Sequence, residues 1–259
     1  MIGQLPPASV ATLINGKGRY VDGPSVPLAV INVQRGKRYR FRLIAMACDP
    51  NFTFSIDNHT MTVIEADGEN TVPLVVDSLQ IFAAQRYSVI VDANKPVANY
   101  WIRAEPDRGN LGFAGAINTA IFRYAGAPVA DPTTDPTKPP ISRLPMKEIA
   151  LHALESPLSP GKPVPGGADV VLNIAHAFNF AKFQYEMNGV AFKPPTVPVL
   201  LQILSGVHNA GDLLPKGSLY ALPRNKVIEI SLPGTGVNQG GPVSTRGCLC
   251  GRTLILCFP

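Results

Sequence analysis

The segment Arg38-Tyr39-Arg40-Phe41-Arg42-Leu43 alternates cationic and apolar residues over six positions. Successive side chains of an extended strand point to opposite faces, so Tyr39, Phe41 and Leu43 share one face and the three arginines the other. One face is expected to meet a core and the other water. Runs of the same character follow on either side: Leu28 to Gln34, Tyr39 to Met46, Phe52 to Ile56, Met61 to Asp67, Ser78 to Phe82, Tyr87 to Asp92, Tyr100 to Ala104 and Thr119 to Tyr124. Each is rich in β-branched or aromatic residues and bounded by Gly, Pro, Asn or Asp, the pattern of short strands. These strands fit one β-sandwich. Asp57-Asn58-His59 lies between two of them and is expected to make a tight hairpin turn, because Asn and Asp tolerate left-handed backbone.

Composition supports an all-β reading. Hydrophobic residues make up 46% of the 259, enough for a substantial core, while Pro 26 and Gly 23 supply frequent turns. The net charge of +5 is spread over Lys and Arg that rarely stand more than two together. Even the Arg35 to Arg42 cluster alternates with apolar residues, so a solvated strand face is expected and no nucleic-acid partner. No stretch approaches the roughly 18 apolar residues of a spanning helix, so no membrane role is expected. The longest candidates, such as Val197 to Leu204, suit a buried strand. The opening Met1-Ile2-Gly3-Gln4-Leu5-Pro6-Pro7 lacks the basic and apolar regions of a secretory signal, which reads as a start internal to something longer.

Between Gly126 and Gly167 ten prolines interrupt any regular ladder. The expected organisation is a complete sandwich over 1–127, a Pro-rich connection over 128–167 with one strand from Lys147 to Leu154, and a second, truncated β domain over 168–242. Strands of that second region are expected at Val170 to Ile174, Phe183 to Met187, Val199 to Leu204 and Val227 to Leu232, with turns at Asn188-Gly189 and Lys216-Gly217. The tail, 243–259, shows neither strand nor turn logic.

Cysteine and histidine are sparse. Cys48 stands alone in the body while Cys248, Cys250 and Cys257 crowd the end, so no disulfide framework is visible. Cys248-Leu249-Cys250 lacks a second pair or a His at zinc-like spacing. The four histidines, His59, His152, His176 and His208, are dispersed, and each is expected to be solvent-facing or satisfied in the core rather than a metal ligand.

Several blocks closely resemble the basidiomycete-type fungal laccases of the multicopper oxidase family. They are Thr12 to Tyr20, Tyr39 to Leu43, Cys48 to Asp57, Gln85 to Val89, Asn110 to Phe113, Pro194 to Gln202 and Asp212 to Pro215. The resemblance covers roughly 8–242. It implies cupredoxin-like Greek-key β-sandwiches, this chain corresponding to the middle domain and the opening of the last. The implied parent activity is one-electron oxidation of phenols and aryl amines, coupled to reduction of dioxygen to water at copper, in an extracellular enzyme of lignin degradation. Copper requires clustered imidazoles and a thiolate, which the family supplies as His-any-His pairs and a His-Cys-His segment. None of these occurs here, so the chain is expected to bind no copper and to be inactive alone. The alternative is a non-catalytic cupredoxin-like module that associates with the missing domains.

The resemblance also assigns individual residues. Asp49 matches an acidic residue at the substrate pocket, where a carboxylate can take the proton of an oxidising phenol; a plain Asp49-Pro50 turn is the alternative. Asp107 and Arg108 replace the family's Asn and Phe on the neighbouring rim, so substrate preference does not transfer. Cys48 matches a cysteine that pairs with one in the first domain, and is expected to be an unpaired thiol here. Asn51-Phe52-Thr53 and Asn58-His59-Thr60 fit the N-glycosylation pattern. Family-like sequence ends at Pro242, where a His-rich copper motif would follow, and Val243 onward reads as a translated intron or frameshift. Sequencing the transcript tests that reading.

Overall fold

A computed structural model describes residues 12–20, 23–47, 51–106, 117–155, 162, 164, 167–214, 217–231 and 254–257. The chain divides into two compact units, Pro6–Ser156 and, from Pro157 onward, most of the remainder.

Among the described residues, nine strands build the larger unit: β1 Val30–Val33, β2 Arg38–Ile44, β3 Phe52–Ile56, β4 Met61–Ala66, β5 Glu69–Val76, β6 Ser78–Ile81, β7 Arg86–Asp92, β8 Asn99–Pro106 and β9 Thr119–Tyr124. They form a five-stranded sheet in the order β1-β9-β8-β3-β6 and a four-stranded sheet in the order β2-β7-β4-β5. Only β1 and β9 pair in parallel; the other neighbours are antiparallel. The core lies between the two sheets. Phe54, Ile56, Leu79, Ile102 and Phe122 enter it from one side, and Met61, Val63, Val76, Val89 and Val91 from the other. Each such side chain contributes about 1.5–3 kcal/mol through the water it leaves.

Strand β2 behaves as its alternation requires. Arg38, Arg40 and Arg42 are exposed, while Tyr39, Phe41 and Leu43 pack on the core. Three expectations for this unit need correction. Strand β5 is not apparent from sequence pattern, because Pro73 sits within it; proline is tolerated there because β5 is the edge of its sheet and Pro73 falls where its register with β4 shifts, between the pairs Val63 with Leu74 and Glu65 with Asn70. The Asp57-Asn58 turn is present, with Asn58 at φ 62, but it joins β3 of one sheet to β4 of the other. It is a corner between layers rather than a hairpin. Lys147 to Leu154 forms no strand: Glu148–Ala150 is a short 3-10 turn, and the segment's ladder pairing with β5 is an isolated bridge between Thr71 and Ala153.

Residues 128–154 run over this same unit as a strap. Asn99 Nδ2 donates to Pro128 O at 2.9 Å, Trp101 Nε1 to Thr134 O at 2.8 Å, and Met146 N to Ser78 O at 2.9 Å. The strap is pinned at Asp77, whose carboxylate accepts from Ser142 Oγ and from the N–H groups of Arg143 and Leu144 at 2.7 and 2.9 Å. Partial burial pushes the Asp77 carboxyl up, but these hydrogen bonds prevail and hold it below its ordinary value of 3.8. Asp77 therefore stabilises the fold above that value, and the contribution is lost as pH falls through the lowered one. We expect Asp77→Ala to cost roughly 1–2 kcal/mol, less than a buried charged site because water reaches this one. Limited proteolysis should show earlier cleavage between 138 and 147, and an unchanged digestion pattern would refute the pin.

The smaller unit is described by itself. Strands β10 Val170–Asn173 and β13 Val227–Ser231 pair in parallel, and β14 Leu254–Cys257 adds antiparallel to β13. This last strand corrects the expectation of a tail without strand structure. Strands β11 His176–Asn179 and β12 Gln184–Met187 form a hairpin, and Asn188-Gly189 makes the expected turn with both residues at positive φ. Lys216 lies outside the described residues. Val199–Leu204, expected as a strand, is instead the helix α1; Ala210–Leu213 forms the shorter α2. A short apolar run does not reveal its period. Here Pro198 stands at the N-cap, where its missing N–H takes no bond from the helix, and the leucines favour the helix that Gly206 then ends at φ 103.

Candidate functional site

The chemistry-bearing side chains concentrate at the Asp57 corner. On β8, Tyr100 and Ile102 face the core, so Trp101 and Arg103 point to the outer face of the five-stranded sheet. The strap covers that face. Arg103, 1% exposed, donates through Nε and Nη2 to the two carboxylate oxygens of Asp57 at 2.7 and 2.9 Å. Two further N–H groups reach Pro136 O at 2.8 Å and Asp135 O at 3.1 Å, and Nη1 also lies 3.9 Å from the Glu105 carboxylate. The guanidinium fork thus meets one buried carboxylate and two carbonyls, the planar arrangement it is built for.

On the core side, His59 is buried against Tyr100, Phe122 and Tyr124. Its Nδ1 lies 2.7 Å from Asp57 O, which can only accept, so Nδ1 carries the proton. Nε2 then accepts from Tyr124 Oη at 2.7 Å, and that hydroxyl in turn accepts from Lys95 N at 3.1 Å. Every donor finds an acceptor only if His59 is neutral. Burial, first of all, lowers its pKa from 6.5, the hydrogen bond to Asp57 opposes this, and the Lys95 charge adds to the lowering. Burial likewise raises the Tyr124 hydroxyl, keeping it a donor. This network is closed on itself and offers no open valence to a metal or substrate.

The other histidines lie apart from it. His152 and His208 are exposed, and His176 sits half-buried on β11. Among the described residues, no group of three His, Cys, Asp or Glu side chains could hold a metal ion. Copper therefore finds no fitting donor set there. Cys48, Asp49, Asp107, Arg108, Cys248 and Cys250 lie outside the described residues, and of Cys257 only the backbone is described. Asn51 is half-buried just before β3, and Asn58 is exposed at the corner. In the smaller unit, α1 borders an open depression of about 430 Å³ lined by Pro195, Val197, Gln202 and Leu213 among others. Sequence reasoning did not single out Arg103 or Tyr124. The available signal was a cation inside the run Tyr100-Trp101-Ile102-Arg103, apolar on both of its faces.

Comparison with known proteins places this geometry. The multicopper oxidase family model matches residues 2–127. Laccase-2 of Pleurotus ostreatus is 59% identical over 236 residues, 91% of this chain and 43% of the relative. Laccase-2 of Trametes versicolor is 57% identical over 239 residues, 92% of this chain and 45% of the relative. The chain thus spans less than half the length of these curated relatives. The solved laccase of Botrytis aclada superposes with a TM-score of 0.60 at 28% identity, covering 84% of this chain and 38% of that one. Fet3p, a multicopper oxidase that functions in iron import, superposes with a TM-score of 0.61 at 23% identity, over 80% of this chain and 40% of its own, and shares the fold. The sandwich is cupredoxin-like, and the chain belongs to the multicopper oxidase family. Within it, the curated relatives at 56–59% identity are basidiomycete laccases.

Proposed function

We propose that this chain is a scaffold portion of a laccase-type multicopper oxidase, corresponding to the middle sandwich over 1–127, a connection over 128–167 and the opening of a further sandwich over 168–242. The parent activity is oxidation of phenols and aryl amines coupled to reduction of dioxygen to water, outside the cell. The chain by itself is inactive, because copper ligands must come from elsewhere in the parent. The observation that carries this reading is the state of His59, both of whose ring nitrogens are engaged inside the core. Asp49 is proposed as the carboxylate that receives a phenol proton at the edge of the parent's pocket.

The purified chain, loaded with copper and dialysed, should retain no stoichiometric metal and show no blue-copper absorption. Stoichiometric, tightly held copper with that band would overturn the reading. A second reading, a non-catalytic module that associates with the missing domains, is favoured by one observation. Leu200 and Leu204 on α1 and the neighbouring Phe192 are exposed, at 66, 73 and 65%, and apolar surface of this kind invites a partner.

A further inference from the structure

We propose that Asn58, and not Asn51, carries an N-linked oligosaccharide. The proposal rests on the reading that the parent protein is exported, and it deepens that reading by assigning a modified residue. Both sequons are chemically competent while the chain is unfolded. The carboxamide nitrogen attacks the first sugar of a lipid-diphosphate-linked oligosaccharide, forming a carbon–nitrogen bond as the sugar–phosphate bond breaks; the amide proton and the lipid diphosphate leave, and no redox partner is needed. The two sites differ in what the finished fold does with the attached sugar.

Asn58 stands at the corner between the two sheets with φ 62, a backbone state asparagine accepts readily. Asn58 and Thr60 are both exposed, while His59 between them is 3% exposed. The turn is closed by His59 N donating to Ile56 O at 3.0 Å. The His59 ring is held by Asp57 O and Tyr124 Oη. The sequon is thus anchored from inside by its middle residue and presents its first and third residues to water. A bulky hydrophilic group there costs no packing, and it needs no rearrangement of the corner.

Asn51 offers the opposite case. It is half-buried, and Phe52 and Thr53 behind it are half-buried in β3. That strand lies between β6 and β8, with Thr53 opposite Gln80 on one side and Glu105 on the other. A glycan at Asn51 competes with the seating of β3 in its sheet.

The test uses the full chain behind a host leader peptide, with a control sequon in an appended tag, secreted from a eukaryotic host. The leader supplies export, so failure here is independent of whether the natural parent is exported. The soluble product is weighed before and after enzymatic removal of N-glycans. Two glycans are expected, one on the tag and one on the chain. Thr60→Ala should lose the second, Thr60→Ser should keep it, and Thr53→Ala should leave it untouched. The proposal fails if the soluble chain carries the tag glycan alone, if it carries three, or if Thr53→Ala rather than Thr60→Ala removes the second.

Discussion

Arg103→Leu is expected to lower the unfolding free energy of the larger unit by about 3–5 kcal/mol, the cost of leaving a buried charge without its partner. The Asp57 carboxylate would lose both of its charged donors, and the carbonyls of Asp135 and Pro136 would lose theirs. Arg103→Lys should recover only part of this, because an ammonium cannot span two carboxylate oxygens and two carbonyls in one plane. Trp101 is the only tryptophan and lies two residues away on the same strand, so its fluorescence during urea titration reports on this unit alone. Combining Asp57→Asn with Arg103→Leu should cost less than the sum of the two single changes, which marks direct coupling. A loss below about 1 kcal/mol for Arg103→Leu would show that the ion pair contributes little.

The second large effect concerns the His59 network. Tyr124→Phe removes the donor to His59 Nε2 and the acceptor of Lys95 N together, and should cost about 1–3 kcal/mol. The same network makes stability depend on acidity. Unfolded, His59 binds a proton near its ordinary value of 6.5; folded, burial lowers that value. The contribution of neutral His59 is complete above 6.5 and is lost progressively as pH falls through the lowered folded value. His59→Gln should therefore be less stable than the parent chain at pH 8, and the gap should narrow as the solution is acidified below 6.5. Parallel stability curves for the two chains across that range would rule out a buried neutral histidine.

Local pattern makes much of the sandwich legible in the amino-acid sequence. Phe52–Ile56 and Thr119–Tyr124 have the strand limits read from their composition, and the alternation at Arg38–Leu43 gives the correct inward face. The failures share a cause. Pro73 disguises β5 because a sequence does not say which strand is an edge or where its register slips, and both edge position and the register shift between Val63 and Glu65 make that proline tolerable. Val199–Leu204 is a helix where a strand was expected, because a six-residue run with five apolar members fits either period. The polar networks are out of reach for a different reason: Asp57 and Arg103 are 46 residues apart, and His59 and Tyr124 are 65 apart. Such partners are chosen by topology rather than by neighbours in the chain. Family resemblance in named blocks supplies the fold directly, and the pocket residues it suggests, Asp49 among them, fall outside the described residues.

The way the strap is held has a consequence for mutational freedom. Trp101 and Arg103 grasp it at Thr134, Asp135 and Pro136, and in every case the atom grasped is a main-chain carbonyl oxygen. A carbonyl is the same whatever side chain its residue bears. Saturation mutagenesis of 134 should therefore return many acceptable residues so long as the backbone keeps its path, position 135 fewer because its carboxylate also accepts from Thr137 N at 2.8 Å, and positions 101 and 103 almost none. At this stretch the surface beneath reads the path of the cover rather than its side chains, in contrast to Ser142, whose hydroxyl is itself held by Asp77.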